Sequence, residues 1–270
     1  MTVITIDDVF NSVLTEAVPI LERHRAPATV YVTSYYCTHD APVFRLLVRY
    51  VFWKTRKATI DLGALDRTLH GHFSLTDRAG RSRAEETVIA FGEALEGESH
   101  REAFADRLSD LLAVDLHPVR TGRLFHVVTP HQVETLVRRG VDVQLHTHRH
   151  RLPVDRSQVA RELKDNRNVL EPIVGKPLRH LCYPSGIWSP EVWPWLHEDE
   201  VVSATTCDPG LNYSNTPRLG LKRILDAEDV PEIRFEAEMS GFRDMFRQIP
   251  VWFRPRTATT PSNGDRETGP

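Results

Sequence analysis

Cysteine is scarce in this chain: Cys37, Cys182 and Cys207 are its only three, widely spaced in 270 residues. An odd number at such spacings excludes a disulfide framework and a Cys-x-x-Cys zinc knuckle, so the three read as buried or partly buried thiols. Net charge is also small. With 34 basic residues against 37 acidic ones the balance is −3, which gives no bulk attraction to nucleic acid or to an anionic membrane, and neither is expected as a partner. No uninterrupted apolar stretch reaches the ~20 residues that span a bilayer. The opening TVITIDD has no basic n-region and no apolar h-region, so nothing resembles a secretory signal. The chain as written is expected to be soluble and cytoplasmic. A first strand starting this early also fits a chain trimmed at its start, which would place it outside the cytoplasm.

The chain is 40% hydrophobic and 26% charged, enough for one globular domain with a sizeable core. Val3 to Ile6 is a β-branched run ending in Asp7 and Asp8, Asn11 to His24 has helical apolar spacing, and Ala28 to Val32 is an apolar run too short for a helix. This is a β-α-β opening, the unit of parallel sheets and barrels. From about 37 to 125 the pattern turns helical and charge-rich, with helices expected near Phe44 to Lys57, Ala84 to Leu95 and Arg101 to Leu112. That region reads as an insertion.

Alternation resumes at Thr129, an N-cap followed by Pro130, in a helix that ends at Gly140. Val141 to Leu145 is the next strand. Asp155 and Gln158 form a capping-box pattern for a helix to about Pro172, followed by strands at Arg179 to Cys182, Val201 to Ala204 and Leu219 to Ile224. Ser189 and Pro190 open a further helix. Six or seven strand candidates are too few for a complete eight-stranded barrel, so the expected fold is an incomplete or distorted (β/α) barrel with a helical insertion. One domain over 1–256 and a disordered tail over 257–270 complete the division. Phe44 to Lys54 mixes aromatics with basic residues and is expected to pack its apolar stripe on the barrel. A surface facing a membrane-bound glycan precursor is the alternative, and the same pair of readings applies to Ile249 to Pro255.

In such folds the site gathers at the C-terminal ends of the strands. Asp7 and Asp8 stand at one. Two adjacent carboxylates repel unless a cation or donors offset them, although a solvated turn or a helix cap explains an isolated pair as well. His146, His148 and His150 stand at another, in VDVQLHTHRHRLP. His146 and His150 are four apart, a spacing that lets both imidazoles reach one ion, with His148 pointing away or supporting from behind; a solvated His-rich loop is the bland alternative. One carboxylate and two imidazoles make a three-ligand set with open positions, the catalytic type of metal site.

These motifs together resemble the polysaccharide deacetylases of the NodB-homology type, carbohydrate esterase family four. Thr5-Ile6-Asp7-Asp8-Val9 resembles the family's Thr-Phe-Asp-Asp-Gly, and His146-Thr147-His148-Arg149-His150 its His-Ser/Thr-x-x-His. ATVYV at 28–32, Cys182-Tyr183-Pro184-Ser185-Gly186, DPGLN at 208–212 and LKRI at 221–224 look like further family segments. The resemblance implies that Asp7 is the general base and that Asp8, His146 and His150 hold a divalent metal, zinc first, with cobalt, nickel or manganese as alternatives. It also implies that the backbone at Ser185 helps stabilise an oxyanion and that Tyr183, Pro184 and Gly186 face substrate. The implied reaction is hydrolysis of an N-acetyl group from an amino sugar in a polysaccharide, glycan or glycolipid precursor, releasing acetate.

Three departures stand out. Val9 replaces the glycine after the Asp pair, Cys182 stands where the third motif often has arginine, and no Leu-x-x-His acid motif lies near the C-terminus. Arg223 stands near where the last motif would fall, but an arginine is no proton donor; His180 and His197 are the remaining candidates, with water on the metal. The other functions these departures leave open are a catalytically silent glycan-binding protein and a hydrolase of this fold acting on another C–N bond or an O-acetyl ester. Oligomeric state has no signal in the sequence.

Overall fold

The computed structural model describes residues 2–248. The expected tail at 257–270 and the Ile249 to Pro255 stretch lie outside them. β1 (Ile4–Asp8) is followed by a π-helical turn, Val13–Ala17, that runs into α1 (Val18–Arg23), then β2 (Ala28–Val32) and α2 (Ser34–His39). Next come α3 (Phe44–Lys54), a small antiparallel hairpin of β3 (Thr59–Asp61) and β4 (His72–Ser74), α4 (Arg78–Ala94), α5 (Glu98–Leu111) and α6 (His117–Thr121). The alternating part resumes with α7 (Pro130–Arg138), β5 (Asp142–Leu145), α8 (Arg156–Val174), β6 (His180–Cys182), α9 (Trp193–Glu198), β7 (Ser203–Pro209) and β8 (Leu221–Arg223). Helices α10 (Glu232–Met239) and α11 (Phe242–Gln248) follow.

Six of these strands form one all-parallel sheet in the order β1-β2-β5-β6-β7-β8. Each strand is added beside the last, the winding of a barrel rather than of a doubly wound sheet. The result is the expected distorted barrel, curled but left open between β1 and β8. Register levels the strand ends: Asp8 pairs with Val32, Val32 with Leu145, and Leu145 with Leu181. Residues just past this rung therefore meet at one rim.

The helices pack on the sheet through a core that includes Val30, Val32, Val143, Leu145, Leu163, Leu170 and Leu181. Caps fix where they begin. The Thr129 hydroxyl accepts from the Gln132 N–H at 3.3 Å while Gln132 Oε1 accepts from the Thr129 N–H at 2.9 Å, a complete capping box ahead of Pro130. Asp155 accepts from the Gln158 N–H at 2.9 Å. α8 passes through Pro172 to end at Gly175, whose φ of 74° suits glycine; a proline this close to the end interrupts only the last turn.

The stretch expected to lie on the barrel instead builds a core of its own. Phe44, Leu47, Val48, Val51 and Phe52 of α3 pack with Val88 of α4, Phe104 and Leu108 of α5 and Leu62 and Leu75 beside the hairpin, separately from the barrel core. The aromatic stripe is buried as expected, but against neighbouring helices. Isolated bridges between Pro42 and His126, and between Phe10 and Val127, mark where this unit leaves and rejoins the sheet. Among the described residues no helix is long and apolar enough to cross a membrane.

Candidate active site

Asp8 ends β1, and His146 follows β5. Asp8 Oδ1 lies 3.5 Å from His146 Nε2 and 3.3 Å from His150 Nε2, and the two imidazole centres are 4.9 Å apart. Bond lengths of 2.0–2.2 Å around a tetrahedral ion place ligand atoms roughly 3.3–3.6 Å from one another. Both distances from Asp8 already have that spacing, and the three ligand atoms all lie within 4.8 Å of one another. His146 is buried and its Nδ1 lies 2.9 Å from the Cys182 carbonyl oxygen, so Nδ1 carries the proton and Nε2 presents its lone pair. Burial, outweighing the nearby Asp8 and Asp7, pushes the His146 pKa down and keeps the ring neutral, the form a metal requires. These residues fit a divalent ion.

A second set, Asp7, His146 and Cys182, also comes close together. It suits an ion poorly. Burial pushes the Cys182 thiol far up, and both Asp7 oxygens are already taken: Arg223 Nη1 donates to Oδ1 and Nη2 to Oδ2, each at 2.7 Å. The Cys182 thiol donates to Asp7 Oδ2 at 3.3 Å. Burial alone would raise the Asp7 pKa, yet the Arg223 hydrogen bonds and charge overcome it and hold the carboxyl below its usual range. Asp7 is thus an ionised, doubly clamped carboxylate beside the metal set.

Sequence reasoning gave Arg223 no such role. It stands at the end of β8, 216 residues from Asp7, with Nε donating to the Thr206 carbonyl at 2.8 Å and Nη1 reaching the Thr5 hydroxyl at 3.4 Å. The side chain bridges the two open edges of the sheet. The missing arginine at position 182 was the signal available: a half-buried carboxylate still needs a cation, and this one comes from another strand.

Five of the eleven left-handed non-glycine residues among the described residues lie on the same loops. Asp8 (φ 60°), Val9 (57°), Thr147 (63°), His150 (52°) and Ser185 (56°) are all left-handed, which costs roughly 1–3 kcal/mol per non-glycine residue and marks functional segments. Val9 explains why the related motif carries glycine here: the turn needs positive φ, and the fully buried valine side chain offsets the strain through packing. The histidine loop is held by α8. Asn166, fully buried, accepts from the His146 N–H at 3.2 Å and donates to the Val32 carbonyl at 3.1 Å and Ser34 Oγ at 2.8 Å, while Ser34 Oγ bonds His148 Nδ1 at 2.9 Å. His148 therefore supports the loop from behind.

The remaining sequence candidates separate. Ser185, exposed, lines a groove of about 670 Å³ together with Asp8 and His150. Tyr183 and Pro184 are buried, and the Tyr183 hydroxyl donates to the Leu219 carbonyl at 2.8 Å, so both brace the loop from below. Gly186 has φ 68°, and an added Cβ would stand 2.6 Å from Cys207 Cβ and 2.7 Å from its sulfur. Gly186→Ala is expected to destabilise the fold by about 2 kcal/mol or more, from strain plus overlap; an unchanged melting temperature would contradict this packing. His180 bonds Ser203 Oγ at 2.7 Å, and neither it nor His197 lines the groove.

The comparisons bear on the fold. The family model for polysaccharide deacetylases matches residues 98–202. The deacetylase PplD of Streptococcus pyogenes, solved with acetate, superposes with a TM-score of 0.50 at 14% identity, over 87% of this chain and 68% of that one. A de-N-acetylase from Aggregatibacter actinomycetemcomitans gives 0.51 at 11% identity, over 87% and 74%. At these identities the solved structures establish the shared fold. No curated protein sequence matches the chain.

Proposed function

We propose, taking this chain as a polysaccharide deacetylase of the NodB-homology type, that it removes the acetyl group from an N-acetylated amino sugar in a metal-dependent hydrolysis. The observation that carries the reading is the division of labour between adjacent carboxylates: Asp8 faces two imidazoles, and Asp7 faces a guanidinium. Asp8, His146 and His150 would hold the ion, which when bound lowers the pKa of water and polarises the acetyl carbonyl.

The rest follows from the chain's own groups. Asp7, ionised and fixed by Arg223, accepts the proton of the water that attacks the carbonyl carbon, and the backbone at Ser185 faces the developing oxyanion. Once protonated, Asp7 is a strong acid, because its environment favours the anion. It returns the proton to the departing nitrogen as the C–N bond breaks, leaving acetate and the free amine. This resolves the missing histidine acid: one clamped carboxylate serves both steps.

Acetate release from N-acetylated oligosaccharides tests the reading. Release is expected to stop on chelation and return with zinc or cobalt. Turnover of an O-acetylated sugar alone would move the assignment to an esterase, and glycan binding without release of acetate would favour the silent binding protein.

A further inference from the structure

The groove carries charge that hydrolysis does not use. Arg149 and Arg151 flank His150 in sequence and line the groove with it. Behind them lies Glu162, whose side chain is only 2% exposed; it accepts from the Arg149 N–H at 2.7 Å, Arg149 Nη1 at 3.1 Å and Arg151 Nε at 3.4 Å. Asp165 accepts from Arg149 Nη1 at 3.0 Å. The Arg151 N–H donates to the Thr147 hydroxyl at 3.1 Å, which fixes its backbone too. Among the described residues neither terminal nitrogen of Arg151 has a partner, and Nη2 of Arg149 has none. The Arg151 side chain is 56% exposed.

Two guanidinium groups anchored from behind by a buried carboxylate and open in front are an oriented fork. Such a fork gives planar, two-point recognition of an oxyanion with less ordering left to do on binding. Arg101, which also lines the groove, differs: its guanidinium is taken up by the Gly92, Glu93 and Leu95 carbonyls, Glu98 and Tyr35.

We propose that Arg149 and Arg151 form a subsite for an anionic group, a carboxylate or a phosphate, carried by the glycan beside the acetylated sugar. This rests on the deacetylase reading of the neighbouring site. The substrate class is then an acidic glycan or a phosphorylated glycan precursor.

Calorimetric binding to the zinc-loaded chain, with acetate release measured in parallel, tests the subsite. Hyaluronan tetrasaccharide is compared with neutral tetra-N-acetylchitotetraose to probe a carboxylate, and N-acetylglucosamine 1-phosphate with N-acetylglucosamine to probe a phosphate. One acidic probe is expected to bind about tenfold or more tightly than its neutral counterpart, and which one does so identifies the anion. Arg151→Gln, at an exposed position that should not disturb folding, is expected to remove most of that preference; Arg151→Lys restores only part, because it lacks the fork. Equal affinity for acidic and neutral probes, no binding of any probe, or a preference untouched by Arg151→Gln overturns the subsite. Acetate release without acidic preference would overturn it while leaving deacetylation standing. Acidic preference without release from any probe would support the subsite and count against deacetylation.

Discussion

Asp7→Asn is expected to retain the metal and the fold and to lower turnover by about 10³-fold or more. General acid or base catalysis by one positioned group is typically worth about 10²–10⁴, and Asp7 is assigned both steps. The amide is nearly isosteric, and the three ligand atoms belong to Asp8, His146 and His150, so ion content should stay at the wild-type level. Arg223 loses its counter-charge, which lowers the melting temperature without unfolding the chain. Single-turnover acetate release with metal analysis on the same sample checks this. Full activity in Asp7→Asn would show that the proton goes elsewhere, to His180, His197 or solvent.

The second large effect is at Arg223. Arg223→Gln keeps a donor but removes the charge and the bidentate grip on Asp7, whose side chain is 28% exposed against 10% for Arg223. Removing one partner of a largely buried pair leaves the other charge uncompensated, at about 3 kcal/mol. Misplacing a supporting contact of this kind typically lowers activity by about 10–100-fold. The pH dependence has a definite sign. The folded Asp7 pKa is depressed, so the clamp's stabilisation is fully present above the unfolded carboxylate value and is lost as pH falls through the depressed folded value. Without Arg223 the folded pKa rises, since burial then dominates, and the acid limb of kcat/KM moves to higher pH. Denaturation followed against pH, with a rate profile of the variant, measures both. An acid limb that stays in place would contradict the clamp.

Local patterns carried much of this. Strand ends were readable because β-branched runs stop at charged or imidazole residues, as in TVITIDD and VDVQLH, and parallel register then brings Asp8 and His146 to one rim. Thr129 followed by Pro130 announced a helix start, and the structure adds a capping box between Thr129 and Gln132. What sequence could not show was long-range. The clamp on Asp7 joins residues 216 apart across the open edge of the sheet, and no local period encodes which cation faces a half-buried carboxylate. β7 spans Ser203–Pro209 rather than the apolar Val201 to Ala204, because pairing with β6 and β8 outweighs the polar look of TTCDP. The helical stretch after α2 formed its own core, since an apolar stripe specifies burial but not the surface that buries it. Val9 shows the converse: an apparent departure from a glycine motif that keeps the glycine's backbone angle.

The most direct measurement is the metal content of protein purified without chelator, wild type beside His150→Ala. His150 contributes one of three ligand atoms and lies on an exposed-side loop rather than in the core, so the variant should fold. About one divalent ion per wild-type chain, lost or sharply reduced in His150→Ala, is the expected result. A wild-type chain that binds neither zinc nor cobalt when these are supplied in excess would contradict the metal-dependent hydrolysis.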